Sequence, residues 1–187
     1  MGIRVRLFEL PPPMPSGLVT RVLERLPTPL LPGECQTLEL SRSELEDGSP
    51  PRVEATLLLE RVPAAPPGWL HLGLCGVDLF VPALTYVFGV SHLGERRALL
   101  SWHRLQAGNG GTKVLEERLL IEAVHELGHA GGLVHCAVAD CAMHRAMWPE
   151  SVDLKKPDYC PTCQASLRTM LEALEVPLNR SGSSRGP

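Results

Sequence analysis

The sequence lacks a strong excess of charge of either sign. It has 18 Lys and Arg against 21 Asp and Glu, a formal net charge of −3, so the basic balance typical of nucleic-acid-binding proteins is missing. No apolar stretch approaches the roughly 18 residues of a transmembrane helix. The N-terminal segment places charges among its apolar residues and runs into prolines, unlike a signal peptide. We therefore expect a soluble, cytoplasmic protein that binds neither nucleic acid nor membrane.

The sequence also lacks internal repeats, and a chain of this length does not need disulfides to stabilise its fold. Its 187 residues suit one domain of ordinary size that can bury a core unaided. In a reducing cytosol, clustered cysteines favour metal binding over disulfides. The glycine-rich segment 107–112 is followed by a lysine without the spacing of a phosphate-binding loop, which argues against a nucleotide site.

The candidate metal-binding and catalytic residues lie between His125 and Cys163, in a segment that begins with HELGHAGGLVH. On a helix, His125 and His129 project from nearly the same face, about 6 Å apart along the axis. Glycines then end the helix at 131 and 132, and His135 can return to the same metal. Three neutral imidazoles around Zn²⁺ leave a fourth position for water, as in a catalytic site. Glu126 flanks the pair and suits a base for that water.

Four of the six cysteines follow in two pairs. Cys136 and Cys141 are separated by four residues, Cys160 and Cys163 by two, and eighteen lie between the pairs. Four thiolates can close a tetrahedral structural zinc site. A CxxC pair alone could be a redox site, but two pairs bracketing one compact segment favour zinc. Because Cys136 adjoins His135, the second metal would also hold the third histidine in place.

The whole string, HExxHxxGxxHC followed by CxM and CxxC, resembles the signature of the archaemetzincins, a branch of the metzincin zinc peptidases. The resemblance implies catalytic zinc on the three histidines, Glu126 as general base and Met143 in a methionine turn beneath the metal. It also implies structural zinc on the four cysteines, and hence two zinc ions per chain. It further implies that residues 84–92 form an antiparallel edge strand at the upper rim of the cleft.

Each motif also has a simpler interpretation. HExxH alone can occur by chance on an amphipathic helix, Gly132 alone is a helix stop, and Met143 alone is more often core filler. We interpret His144 as an ordinary polar residue and His92 and His103 as structural histidines. The metal-site interpretation is favoured because these motifs occur together at the right spacing.

Periodicity predicts an α/β (α+β) fold with a sheet of four or five strands, and the resemblance implies that the fold is metzincin-like with a mixed twisted sheet. We expect strands at 3–10, 34–40, 69–80, 84–92 and 96–105, helices at 16–26, 113–131 and 164–175, an ambiguous element at 53–62 and an exposed loop at 41–51. The expected caps are Ser16 and Thr112. Cys35 and Cys75 should be buried thiols, and Arg118 and Glu122 should be a surface pair.

These patterns predict a subdomain at 1–131 with sheet, backing helix and active-site helix, a zinc-clamped subdomain at 132–178, and a disordered tail at 179–187. The expected function is a monomeric zinc metallopeptidase acting on a peptide or protein substrate. Hydrolysis would use a zinc-bound water activated by Glu126. Endopeptidase and aminopeptidase action stay open, as does an occluded cleft. The alternative is a non-catalytic zinc-binding interaction module.

Overall fold

The structure is a computed structural model that describes residues 2–11, 14, 17–39, 52–108 and 110–175. Ser16, the loop at 41–51 and the tail at 179–187 lie outside the described residues. The strands are β1 (Ile3–Glu9), β2 (Leu30–Thr37), β3 (Arg52–Glu54), β4 (Trp69–Cys75), β5 (Asp78–Val81), β6 (Leu84–Val87), β7 (Gly89–Ser91) and β8 (Arg97–Ser101). The helices are α1 (Leu18–Glu24), α2 (Ala55–Leu59), α3 (Gly111–Ala130), α4 (Pro149–Val152) and α5 (Pro161–Glu175).

The main sheet has five strands in the order β2-β1-β4-β8-β7. All neighbours are parallel except β7, which pairs antiparallel with β8 at the edge. The central strand β4 is buried on both faces from Leu70 to Cys75 and is apolar there except for His71, as expected where helices cover a parallel sheet. The expected mixed sheet is confirmed, and so is an antiparallel edge strand at 89–91.

A second sheet of three strands, β3-β5-β6, was not predicted. The expected single strand at 69–80 is wrong, because the chain leaves the main sheet after Cys75 and Asp78–Val81 joins the smaller one. Both halves are largely apolar and buried, so hydrophobicity alone does not mark the break. The ambiguous element at 53–62 is both a short strand and a short helix, β3 and α2.

Three further strand predictions need correction. Residues 84–92 form β6 and β7 in different sheets, and the expected strand at 96–105 ends at Ser101, where a turn begins. The second expected strand, at 34–40, begins earlier, at Leu30, and it has only that one buried residue. Cys35 is therefore exposed rather than buried, because β2 is an edge strand. Cys75 is buried as predicted.

Helix α3 packs on the main sheet and carries the first two histidines. Leu115, Leu119 and Leu127 are buried. The helix begins at Gly111 after an N-cap at Gly110, with no side-chain cap, so Thr112 is not the cap. Among the described residues, no helix is both long and apolar enough to cross a membrane. The division at 131 and 132 stays a prediction.

Candidate active site

The three histidines of the HExxH segment meet at the end of α3. One ring nitrogen from each of His125, His129 and His135 lies within 4.8 Å of the others, and the Nε2 atoms of the first two are 3.1 Å apart. The helix stops because Gly132 takes a φ of 106°, a conformation that glycine adopts at little cost. This stop returns His135 to the helical pair.

Hydrogen bonds fix which nitrogens of the helical pair are free. His125 Nδ1 lies 2.7 Å from the carbonyl oxygen of Ala142, and His129 Nδ1 lies 2.7 Å from that of Leu133. A carbonyl only accepts, so each Nδ1 carries the proton and each Nε2 keeps a lone pair. Two lone pairs facing each other at 3.1 Å repel unless a cation lies between them.

The protonation states fit a metal equally well. Burial lowers the pKa of all three imidazoles, that of His135 to about 4. They are therefore neutral at physiological pH, as metal ligands must be. Tetrahedral coordination with Zn–N bonds of about 2.05 Å places two nitrogens about 3.3 Å apart, close to the spacing found here. The three histidines therefore fit zinc.

Glu126 lies beside this cluster, almost completely buried. Its pKa is raised to about 8, chiefly by burial and secondly by the nearby charge of Glu122. Its Oε2 atom has no hydrogen-bond partner within the described part of the chain. A Cβ at Gly89 would lie 2.7 Å from Glu126 Oε1. The edge strand therefore lies so close to this carboxyl that a residue with a side chain would clash with it, and only glycine fits.

A cavity of about 490 Å³ opens over the histidines. Eight consecutive residues, Leu84–Ser91, form one wall, and segment 145–147 forms the other. The first wall belongs to β6 and then β7, each of which is the edge of its own sheet. The walls touch where the Tyr86 hydroxyl donates to the Met147 carbonyl at 2.7 Å. The site is thus a cleft with sheet edge along one side.

The four cysteines of the second motif also converge. Their Sγ atoms lie within 4.8 Å of one another, with 3.8 Å between Cys136 and Cys160, and all are free thiols. Tetrahedral coordination with Zn–S bonds of about 2.3 Å gives a sulfur spacing of about 3.8 Å. Backbone N–H groups of Val138 and Cys160 donate to two of the sulfurs. This arrangement fits a closed metal site rather than a redox disulfide.

Comparison with known proteins places this geometry in a family. The model of peptidase family M54 matches residues 67–169, a segment that contains both clusters and the cleft. The chain belongs to peptidase family M54.

Relatives of this M54 chain are named archaemetzincin, which confirms the resemblance seen in the sequence. Archaemetzincin from Thermococcus kodakarensis is 40% identical over 111 residues, which is 57% of this chain and 58% of the relative. The chain thus spans less than two thirds of that protein. Archaemetzincin from Haloquadratum walsbyi is 30% identical over 145 residues, 72% of this chain and 84% of the relative.

Solved archaemetzincins share the fold of the M54 chain. The crystal structure from Methanopyrus kandleri matches with a TM-score of 0.78 at 26% identity, covering 91% of this chain and 96% of that one. The structure from Archaeoglobus fulgidus, a complex with malonate, matches with a TM-score of 0.74 at 28% identity, covering 88% and 99%. The metzincin-like fold expected from the sequence is confirmed.

In the M54 chain, Met143 packs directly beneath the histidine helix. It is completely buried, and its Sδ would lie 2.3 Å from a Cβ placed on Gly128. Gly128 directly precedes His129, so the methionine fills the space that a larger helical residue would need. His144 is not in either cluster, and its Nδ1 donates to the Cys136 carbonyl at 2.9 Å.

The expected surface pair of Arg118 and Glu122 is wrong. Every residue from Arg118 through Gly128 is buried, so neither side chain has a solvent-facing side of the helix to occupy. Arg118 instead makes two 2.7 Å hydrogen bonds to Asp153, and Glu122 accepts from Lys155 Nζ at 2.5 Å. Sequence reasoning missed both partners, although charged residues on an otherwise buried helix indicate that partners must exist.

Lys155 connects this pair to the site. Its Nζ also donates to the carbonyls of Ala142 at 3.3 Å and His144 at 3.2 Å. The Ala142 carbonyl is the one that orients His125. Burial raises the pKa of Glu122, and the Lys155 charge works against that rise. The ion pair thus fastens the methionine-containing segment to α3.

Proposed function

We propose that this chain is a zinc-dependent metallopeptidase that hydrolyses peptide bonds, with His125, His129 and His135 holding the catalytic zinc. One observation carries the proposal: two unprotonated Nε2 atoms face each other at 3.1 Å beside Glu126, a buried carboxyl whose Oε2 has no hydrogen-bond partner among the described residues. When bound, zinc supplies a Lewis acid that polarises the scissile carbonyl and stabilises the developing oxyanion.

Glu126 is the proton carrier of the reaction. Its carboxylate accepts a proton from the water that attacks the carbonyl carbon, and it returns that proton to the amide nitrogen as the C–N bond breaks. Burial raises its pKa to about 8, and a cation held by the neighbouring histidines would lower that pKa and favour the carboxylate form that accepts the proton.

The edge strand binds the substrate. An extended peptide can add to residues 84–91 by main-chain hydrogen bonds, because this stretch is the edge of both sheets. Apolar residues such as Phe88 and Val90 line the same wall. The strand would thus align the scissile bond across the histidine cluster.

The four cysteines hold a second, structural zinc, giving two zinc ions per chain. This site closes the C-terminal subdomain, residues 132–178, and holds His135 through its neighbour Cys136, while Met143 forms the methionine turn. Four thiolates require reducing conditions, in keeping with a cytoplasmic location. We further propose that the chain acts as a monomer, without nucleic acid or membrane.

Metal content and turnover test the proposal together. Mass spectrometry of zinc-loaded protein should find about two ions per chain, one fewer in His129→Ala and one fewer in Cys160→Ser. Glu126→Gln should keep both ions but hydrolyse peptides about 10²- to 10⁴-fold more slowly. Equal turnover in Glu126→Gln would remove Glu126 as the base. A chain that holds both ions and cleaves no member of a peptide library would instead be a zinc-binding interaction module.

A further inference from the structure

The cleft holds a positive charge that the described chain does not neutralise. Arg145 lines the wall opposite the edge strand and is exposed. Its one hydrogen bond in the described structure runs from Nη2 to His135 Nδ1, at 3.4 Å, and no described carboxylate pairs with it. Lys155, a second cation next to the site, is already paired with Glu122.

The backbone on both sides of Arg145 is anchored. On one side, the His144 carbonyl accepts from Lys155 Nζ at 3.2 Å. On the other, Met147 accepts from the Tyr86 hydroxyl at 2.7 Å and donates its N–H to Ser151 Oγ at 3.0 Å. The guanidinium therefore extends from a fixed point beside the histidine cluster, unlike an arginine on a free loop.

Metal binding removes the one partner that Arg145 has. A guanidinium only donates, so the contact requires a lone pair on His135 Nδ1. If the metal takes Nε2, a neutral imidazole carries its proton on Nδ1, and if the metal takes Nδ1, that lone pair is used. In either case a metal-bound His135 cannot accept from Arg145. A loaded site thus leaves the guanidinium without a partner within the described residues.

We infer that Arg145 binds a carboxylate of the substrate next to the scissile bond, which makes it a specificity-determining residue. This inference rests on the proposed peptidase function and names its substrate class. Guanidinium and carboxylate match in geometry and form charge-assisted, often bidentate, hydrogen bonds. Two sources present such a group: the C-terminal carboxylate of a residue just after the scissile bond, since consecutive Cα atoms are about 3.8 Å apart, or a flanking Asp or Glu side chain.

Binding to an inactivated enzyme tests the inference apart from hydrolysis. Zinc-loaded full-length Glu126→Gln protein is titrated calorimetrically with acetyl-Leu-Leu and its C-terminal amide, and with acetyl-Leu-Glu-amide and acetyl-Leu-Gln-amide. The same titrations are repeated after adding Arg145→Gln, Arg145→Lys or, as a control, Arg168→Gln, an exposed arginine on α5 outside the cleft. Zinc content is measured for each protein.

The carboxylate member of at least one pair should bind about 10- to 100-fold more tightly than its neutral partner, the range for a hydrogen bond to a charged group. Arg145→Gln should abolish that preference at unchanged zinc content, Arg145→Lys should keep part of it, and Arg168→Gln all of it. A preference in the first pair identifies the C-terminal carboxylate, and one in the second identifies the side chain. Equal binding within both pairs, or a preference that survives in Arg145→Gln, would overturn the inference. A preference that depends on Arg145 in a protein whose wild type cleaves nothing would reject the peptidase, and with it the role of Arg145 in substrate specificity, and would leave only a carboxylate-binding site at Arg145.

Discussion

The buried ion pair of Lys155 and Glu122 gives the most demanding prediction. Their side chains are 0% and 4% exposed, and Lys155 Nζ satisfies a carboxylate and two carbonyls at once. Lys155→Met would leave Glu122 buried without its counter-charge and both carbonyls without this donor. Breaking a buried pair in this way costs about 3–5 kcal/mol. In a chain of this size, 1 kcal/mol shifts Tm by about 2–4 °C, so Tm should fall by about 6–20 °C.

The loss should depend on pH in a defined direction. In the variant Glu122 lacks the Lys155 charge that opposes its raised pKa, so its folded-state pKa lies further above the unfolded value of about 4.3. The folded variant therefore holds the proton more tightly than the unfolded chain. Its deficit is small where Glu122 is protonated in both states, and it grows as the pH rises toward the folded-state pKa.

Thermal unfolding followed by circular dichroism at fixed zinc, at pH 5 and pH 7.5, measures both effects. Lys156→Met is the matched control, because this neighbouring lysine is 72% exposed and pairs with an exposed Asp140, and it should melt like the wild type. Glu122→Leu combined with Lys155→Met should recover most of the loss, since apolar replacement of a buried pair is often neutral. A Lys155→Met protein that melts like the control, or whose deficit is as large at pH 5 as at pH 7.5, would refute the reasoning.

Three further outcomes follow from the packing and the metal sites. Gly89→Ala places a Cβ 2.5 Å from the Leu99 carbonyl oxygen and 2.7 Å from Glu126 Oε1, so peptide turnover should fall by up to about 10²-fold while zinc content stays at the wild-type value. Gly128→Ala should lower Tm, because overpacking against Met143 costs about 1–3 kcal/mol and outweighs the gain of about 1 kcal/mol from alanine in a helix. A chelator should abolish hydrolysis before the far-ultraviolet circular dichroism changes, since the histidine site has an open position, whereas the thiolate site contributes folding energy. Simultaneous loss of both signals would contradict this order.

The sequence could predict the features that local periodicity determines. His125 and His129 share a helix face at any position in a fold, and glycine at 132 marks the turn that returns His135. Features set by distant contacts could not be found in this way. The residues of the Glu122 and Lys155 pair lie 33 positions apart, and no local pattern links them.

When strands are buried on both faces, the sequence does not show where one strand ends and the next begins. Residues 69–80 are almost continuously apolar because both strands in this segment are buried, although they belong to different sheets. One long buried strand would give the same hydrophobic pattern as two short ones. The opposite error occurred at Cys35, where alternation predicted a buried face for what proved to be an exposed edge strand. The hydrophobic pattern of a sequence indicates which residues can be buried, whereas the packing of neighbouring elements determines which residues are buried.

The double edge formed by residues 84–91 has a consequence for self-association. An unpaired sheet edge invites strands of other copies to pair with it, and proteins usually protect such edges. Here the opposing segment 145–147, joined to the edge by the bond between Tyr86 and Met147, leaves a space of about 490 Å³. We expect this space to admit a single extended chain and to exclude a strand that brings its own sheet with it. The cleft would then keep the edge from pairing with other copies of the protein while leaving it open to the extended peptide proposed as substrate.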